Sequence, residues 1–185
     1  MRTVGLVTEY NPFHNGHLYH LQESLKVADA DISVTVMGGH FLQRGEPALV
    51  DKWVRTEMAL AAGVDVVVEL PLPWACSSAP DFASGGVQAL NALGGVDALC
   101  FGSEAGVLEP LQQCAELLLE KETDLGEQTS RLLRVGVNYP QARAKLLASY
   151  LPDTLDSEAL ASPNNILGLE YLKALKQTSS AIEPL

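Results

Sequence analysis

The stretch TVGLVTEYNPFHNGHLYHLQESLKVA, residues 3–28, decides the fold because it predicts a strand, a turn and a helix in that order. Its first six residues, Thr3–Thr8, are mostly apolar and are typical of a short buried strand. A strand followed by a helix is the repeating unit of an open parallel sheet. The helix, His17–Ala28, is predicted by an apolar face with steps of three and four residues: Leu18, Leu21, Leu25 and Ala28.

The same alternation continues to about residue 104. Asp51 is a predicted N-cap for a helix that runs through Ala62, and Gly63 is its predicted stop. Pro71–Pro80 is predicted to be a loop. The repeated order of strand and helix predicts a Rossmann-like α/β fold, an open parallel sheet with helices on both faces. The remaining predicted elements are the strands Ile32–Met37, Val64–Leu70 and Ala98–Phe101 and the helix Asp81–Leu93.

After Glu104 the pattern becomes helical. We therefore predict two parts: a Rossmann-like core over residues 1–104 and a C-terminal helical extension over residues 105–185 that packs on the core. The tail, Ser179–Leu185, is expected to begin a further strand. The predicted helices of the extension are Leu108–Lys121, Thr129–Leu133, Gln141–Tyr150 and Asn165–Lys176.

Composition excludes several classes of protein. Apolar residues make up 47% of the chain, so it is expected to fold, and no apolar run approaches the ~20 residues of a membrane span. The first residues, Met1–Thr8, are too few before Glu9 for a signal peptide. Cys76, Cys100 and Cys114 are far apart and form no CxxC pair, which argues against a disulfide scaffold or a thiolate zinc site. A reducing cytoplasm is the expected location.

The net charge of −11 argues against tight binding of nucleic acid by this chain alone. Residues 1–104 hold 5 basic and 12 acidic residues, and residues 105–185 hold 7 and 11. Neither part offers the basic surface that binds a phosphate backbone by counterion release. A weak or assisted contact stays open.

All four histidines lie in the first 40 residues, and His14, His17 and His20 fall within seven positions. They lie where the first strand passes into the first helix, at the carboxyl edge of the predicted sheet, where ligands bind. The helix N-terminus there presents free N–H groups and a positive dipole end, which suits a phosphate. Gly16 permits close approach to the backbone, and His14 and His17 are predicted to donate hydrogen bonds to the oxygens of the anion.

Two other interpretations of these histidines stay open. In one, they are surface or capping residues. In the other, the spacing of three places His14, His17 and His20 around a metal ion, with Glu9 or Glu23 contributing. Two histidines flanking Asn-Gly at a strand-to-helix turn favour the anion site, and no metal ligand is predicted.

The motif His14-Asn15-Gly16-His17 resembles the HxGH signature of the nucleotidyltransferase superfamily. The longer segment Glu9–His20 resembles the opening of the bacterial tRNA(Met) cytidine acetate ligase family (TmcAL). Similar blocks follow across nearly the whole chain: Phe41–Ala48, Asp51–Trp53, Glu69–Pro71, Ser78–Ala79, Asp81–Ala83, Phe101–Glu104 and Ser162–Gly168.

The resemblance implies a fold of the HUP or nucleotidyltransferase type and an adenylate-forming activity. Family members are understood to activate acetate with ATP, which gives acetyl-adenylate and pyrophosphate. They then pass the acetyl group to N4 of the wobble cytidine of elongator tRNA(Met). The implied partners are therefore ATP, acetate and tRNA, and Mg²⁺ is expected to accompany the triphosphate.

The resemblance also implies roles for individual residues. His14 and His17 would be the catalytic residues, facing the phosphates of ATP. Gly102 would lie against the nucleotide, and Asn164 or Asn165 would contact it, with simple helix capping as the alternative. The implied ATP-binding loop consists of Val7, Thr8, Glu9, Tyr10, Asn11, Pro12, Phe13, His14, Asn15, Gly16, His17 and His20.

For four charged or polar residues after the second predicted strand, the sequence predicts a role less specifically. Gln43 and Arg44 are candidates for contacts with acetate or phosphate. The alternative is a solvated loop with an internal pair between Arg44 and Glu46. Lys52 and Arg55 lie one turn apart on the next helix, where they could face a phosphate or water, and water is the favoured expectation.

The chain departs from the family pattern in two places. It has Gly38-Gly39-His40 where members carry a Ser-Gly-Asn type of sequence, so His40 is either an extra polar group at the site or a neutral replacement. The family also continues past Ile182–Leu185 to an arginine-bearing block that would complete the ATP site and a later region that would help hold tRNA. The chain is therefore expected to be the N-terminal catalytic part of a longer protein, or a shortened member.

Three further functions compete with the acetate–tRNA ligase. One is a nucleotidyltransferase that adenylylates a small acceptor, and another is a non-catalytic ATP-binding fragment. The third is a metal hydrolase built on the histidines. The HxGH motif alone does not separate these functions.

Overall fold

Five strands form one parallel sheet in the described part of the chain. The order across the sheet is β3-β2-β1-β4-β5, so β1 lies in the middle. Each neighbouring pair is parallel, as predicted, and Thr3 of β1 lies opposite Ile32 of β2. The strands are β1 (Thr3–Thr8), β2 (Ile32–Gly38), β3 (Val66–Leu70), β4 (Ala98–Leu99) and β5 (Glu183–Pro184).

The computed structural model describes residues 1–104, 106–137, 141–142, 146, 149 and 162–185. Most of the predicted helix Gln141–Tyr150 lies outside these residues. The described helices are α1 (Asn15–Val27), α2 (Lys52–Ala61), α3 (Leu72–Ala75), α4 (Ala79–Leu93), α5 (Leu108–Glu120), α6 (Glu122–Arg134) and α7 (Pro163–Gln177). Within the same residues, no helix has the length and hydropathy needed to cross a membrane.

The chain divides into two compact units, whose boundary differs from the predicted one. The first unit consists of Met1–Gly102 and Ala174–Leu185, and the second consists of Ser103–Lys173. The tail belongs to the first unit because β5 pairs with β4 and extends the sheet. The predicted extension over residues 105–185 is therefore not one piece, and its packing on the core stays a prediction.

The two faces of β1 carry different helices, because alternate side chains of a strand point to opposite sides. On one face, Leu6 packs in a core cluster with Leu21 of α1 and Ala59 of α2. On the other face, α4 approaches closely through a glycine. A Cβ on Gly86 would stand 2.8 Å from a methyl carbon of Val7. The prediction of helices on both faces is thus confirmed for the central strand.

Several predicted elements have different bounds, and for two of them the local reason is clear. The third strand begins at Val66 rather than Val64, because the N–H of Val64 donates to the carbonyl of Ala59 and closes the end of α2. The predicted loop Pro71–Pro80 contains the single helical turn α3, and prolines are favoured in a first turn.

Candidate functional site

The segment between β1 and α1, residues 9–14, lies at the carboxyl edge of the middle strand, and we call it the first loop. The chain crosses from β1 to β2 on one side, and β4 lies on the other side. The first loop therefore begins at the point where the strand order reverses, which is where open α/β sheets bind ligands. This position agrees with the prediction from the histidine cluster.

His14 and His17 cap the start of α1 together. The Nδ1 atom of His14 accepts a hydrogen bond from the N–H of Gly16 at 3.1 Å. The Nδ1 atom of His17 accepts one from the N–H of His14 at 3.3 Å. Because of this reciprocal capping, the helix begins at Asn15, two residues before the predicted start.

These hydrogen bonds fix the tautomer of both imidazoles. A neutral ring whose Nδ1 accepts a hydrogen bond carries its proton on Nε2. The rings of His14 and His17 stack, with centroids 3.7 Å apart and planes 18° apart. Their Nδ1 atoms accept from the backbone at the start of the helix, so each ring keeps its Nε2–H for another acceptor. The capping role, one of the two alternatives, is therefore confirmed, and the binding of an anion by the same histidines stays a prediction.

His17 is held neutral. Burial, followed by the proximity of His14 and His20, lowers the pKa of His17 to about 4. The ring packs against Tyr10 and Phe13, with centroids 4.9 Å and 5.6 Å from theirs. His17 therefore remains an uncharged donor at neutral pH, fixed in place by aromatic neighbours.

Two other polar groups near the first loop are withdrawn from water, the Nε2 atom of His20 and the side chain of Tyr10. Burial lowers the pKa of His20, whose Nε2 atom has no hydrogen-bond partner among the described residues. Tyr10 is almost completely buried, and burial raises its pKa, while its hydroxyl lies 3.5 Å from that of Thr35. Across the described ranges, no group of three or more His, Cys, Asp or Glu side chains is placed to hold a metal ion.

Residues 39–50, between β2 and α2, form a second loop, which is attached to the first. The N–H of Gln43 donates to Oε1 of Glu9 at 2.6 Å, and the N–H of Leu49 donates to Oδ1 of Asn11 at 2.7 Å. Glu9 and Asn11, two of the predicted ATP-loop residues, thus hold the second loop with their side chains.

The second loop carries the predicted contacts to acetate or phosphate. The side chain of Arg44 is exposed, and that of Gln43 is half-buried. No ion pair joins Arg44 to Glu46, both of which belong to the described residues, so the predicted internal pair is absent. His40 is also exposed, near the start of this loop.

The expectation that Arg55 faces water is wrong. Its side chain is completely buried, and it donates hydrogen bonds to backbone carbonyls of Glu9, Gly39 and Val50. Lys52 is only partly exposed, and its Nζ lies 2.6 Å from Oε2 of Glu69. The one local signal for Arg55 is its position four residues before the small, buried Ala59.

The other predicted nucleotide contacts divide between the units. In the first, Gly102 is exposed, and no heavy atom lies within 4 Å of where a Cβ would stand. In the second, Asn165 is buried and its Oδ1 accepts from the hydroxyl of Ser103, whereas Asn164 is exposed. The N–H groups of both asparagines donate to the carboxylate of Glu104, which therefore caps α7.

A parallel sheet with a histidine-capped helix at its switch point defines an α/β fold of the nucleotidyltransferase type. The chain matches the family described as HIGH Nucleotidyl Transferase over residues 1–185, and it belongs to that family. Within this class it is similar to proteins named tRNA(Met) cytidine acetate ligase. Over its whole length it is 60% identical to that of Syntrophotalea carbinolica and 51% identical to that of Acetivibrio thermocellus.

A solved structure agrees with these matches. The crystal structure of Thermotoga maritima TmcAL bound with alpha-thio ATP superposes with a TM-score of 0.90 at 41% identity. The match covers 100% of this chain and 45% of that one. The chain likewise spans 44% and 45% of the length of the two curated relatives. The resemblance stated from the motifs and the α/β fold are therefore confirmed.

Proposed function

We propose that this chain binds ATP at the start of α1 and uses it to activate acetate as acetyl-adenylate. The acetyl group then passes to N4 of the wobble cytidine of elongator tRNA(Met), in the cytoplasm. The names of the similar ligases support the reaction, and the ATP analogue in the Thermotoga maritima structure supports the nucleotide.

The stacked pair of His14 and His17 carries this proposal. Both rings use Nδ1 for the helix start, so both have Nε2–H to offer to phosphate oxygens. The N-terminus of α1 adds the positive end of its dipole. Two neighbouring N–H donors suit a reaction in which negative charge shifts between phosphate oxygens, because they donate to those oxygens in each arrangement.

The proposed reaction has two steps. An acetate oxygen attacks the α-phosphorus of ATP, the bond from that phosphorus to the bridging oxygen breaks, and pyrophosphate leaves with the electron pair. The N4 amino group of cytidine then attacks the acetyl carbonyl carbon and loses a proton, and AMP leaves. His14 and His17 donate to phosphate oxygens throughout the first step, which depends mainly on positioning and charge stabilisation.

The remaining predicted residues have proposed supporting roles. Gly102 permits close approach of the nucleotide, and the contact expected from Asn164 or Asn165 stays a prediction from the family resemblance. Gln43 and Arg44 on the second loop bind acetate or phosphate. Mg²⁺ would accompany the triphosphate, held largely by phosphate oxygens and water.

Exchange of labelled pyrophosphate into ATP, with and without acetate, tests this function. We expect exchange that requires acetate and is abolished in the double variant His14→Ala, His17→Ala. Calorimetry of ATP binding on the same samples separates binding from chemistry. Exchange without acetate would favour adenylylation of another acceptor, and ATP binding without exchange under any carboxylic acid would favour a non-catalytic module.

The acetyl acceptor needs a separate experiment. Purified elongator tRNA(Met) is incubated with the chain, ATP and labelled acetate, and an otherwise identical tRNA with uridine at the wobble position serves as the control. Label in the first tRNA alone is the result expected from a protein that carries this chain together with the later region that helps hold tRNA. Equal label in both would contradict the proposed transfer to the wobble cytidine.

A further inference from the structure

The second loop, residues 39–50, is attached to the sheet by one buried cation. The guanidinium of Arg55 donates through Nη1 to the carbonyl of Glu9 at 2.5 Å, through Nη2 to that of Gly39, and through Nε to that of Val50 at 3.3 Å. Gly39 and Val50 are the two ends of the second loop, and Glu9 is the first residue of the first loop. One side chain therefore joins both loops.

Two of the three carbonyls lie where the sheet supplies no donor. Glu9 and Gly39 directly follow the last residues of β1 and β2, so their carbonyls lie beyond the ladder of the two strands. Buried carbonyls without a partner cost free energy. Arg55 satisfies all three from one planar group, whose three nitrogen atoms point in fixed directions. A lysine ammonium at the end of a flexible chain lacks this geometry.

The surrounding charges allow the cation to stay buried. Burial lowers the pKa of Arg55, and the carboxylates of Glu9, Asp51 and Glu69 act in the opposite direction. An uncompensated buried charge would be strongly destabilising. The carboxylate of Glu9 also accepts from the N–H of Gln43, so the same acidic residue balances Arg55 and holds the second loop.

We propose that Arg55 is a positioning residue that holds the second loop against the first and thereby places Gln43 and Arg44 beside the nucleotide. Loops place side chains accurately only when their backbone is supported by other groups. Only the kinetic effect expected from this inference rests on the proposed function. Loosening the second loop should then weaken use of the small carboxylate more than binding of ATP, since His14 and His17 lie on the first loop and α1.

The test compares the wild-type chain with Arg55→Lys, Arg55→Gln and the control Lys52→Met. Lys52 is a cation on the same helix, but it pairs with Glu69 and holds no carbonyl of the second loop. Hydrogen exchange is measured in peptides that cover the second loop and β1. Tryptic cleavage after the exposed Arg44 gives an independent measure of loop opening.

We expect both Arg55 variants to fold, with exchange in residues 40–49 and cleavage at Arg44 at least about tenfold faster, the effect of losing about 1.4 kcal/mol of loop protection. Exchange in β1 should not change, and Lys52→Met should match the wild type. Unchanged loop exchange and cleavage in folded Arg55 variants would overturn the proposal. Loss of the fold in both variants, or an equal rise in β1, would also overturn it, because Arg55 would then support the whole unit.

The kinetic arm measures pyrophosphate exchange against acetate concentration, with ATP affinity from calorimetry. We expect Arg55→Lys to raise the KM for acetate by about tenfold or more, with little change in the dissociation constant of ATP. A loosened loop with an unchanged KM would overturn the placement of Gln43 and Arg44. If the wild-type chain shows no exchange at all, the proposed function fails instead, while the exchange and cleavage data still decide the role of Arg55.

Discussion

Two substitutions at His14 should separate its capping role from its donor role. In His14→Asn, the short side chain can still accept from the N–H of Gly16, since asparagine is a favoured N-cap, but the Nε2–H donor is lost. In His14→Gln, the longer amide can place an N–H near the position of Nε2, but it is poorly suited to cap. His14→Asn therefore keeps the cap and loses the donor, whereas His14→Gln keeps a donor and loses the cap.

The expected magnitudes follow from these contacts. A hydrogen bond to a charged phosphate is worth about 1.5–3 kcal/mol, so His14→Asn should lower acetate-dependent exchange by about 10- to 150-fold. Its free energy of unfolding should stay within about 0.5 kcal/mol of the wild type, because the cap is retained. His14→Gln should lose about 1 kcal/mol of stability from the lost cap and retain much more of the exchange.

Urea denaturation and pyrophosphate exchange on the same preparations measure both quantities. His17→Asn and His17→Gln provide the matched pair on the second ring, whose Nδ1 accepts from the N–H of His14. Because the two rings stack at 3.7 Å, the effects of the double Asn variant should not add. If the Asn variants retained exchange and the Gln variants lost it, the histidines would act as caps, and the argument from their tautomers would be refuted.

Three other predictions concern stability and local order. The imidazole of His17 has an ordinary pKa in the unfolded chain and a pKa of about 4 in the folded chain. The unfolded chain therefore binds the proton more readily, so the contribution of His17 to the free energy of unfolding is complete above about pH 6.5 and declines toward pH 4. Urea titrations at about pH 7 and pH 5 should therefore show a smaller loss for His17→Gln than for the wild type, and an equal loss would contradict the low pKa. Gly86→Ala places a Cβ against Val7 and should lower stability by about 1–3 kcal/mol in thermal melts, whereas Gly126→Ala, with open space around it, should not. Glu104→Ala should speed amide exchange at the start of α7, where its carboxylate accepts two N–H groups, and unchanged exchange would show that the cap is dispensable.

Much of the fold could be predicted because its signals are local. Thr3–Thr8 has the predicted bounds, and Asp51 and Gly63 mark the ends of α2 as their residue types suggest. Signals of this kind depend on a few neighbouring residues, so they can be interpreted without knowledge of the rest of the fold. The early start of α1 at Asn15 was missed because histidine is not among the favoured N-caps, and Asn-Gly is a weak helix former.

The burial of Arg55 could not be predicted from local sequence signals. An arginine on an amphipathic helix is usually exposed, and the spacing of Arg55 from Ala59 is a weak sign to the contrary. Two of its acceptors lie 46 and 16 residues earlier in the chain, on the far ends of two strands. Its burial follows from the packing of α2 beside the carboxyl edge of the sheet, which only the three-dimensional arrangement determines.

The same arrangement changes how the first loop should be interpreted. Glu9 and Asn11 belong to the stretch predicted to bind ATP, yet their carboxylate and amide oxygens are used by the N–H groups of Gln43 and Leu49. Loss of function in Glu9→Ala would therefore reflect a displaced second loop rather than a lost nucleotide contact. Glu9→Gln keeps an acceptor oxygen for the N–H of Gln43, so the second loop should stay attached. In Glu9→Ala this hydrogen bond is lost, and the second loop should be displaced. Because the histidine pair depends on neither tether, the proposed binding of ATP and the proposed positioning of its co-substrate rest on different contacts.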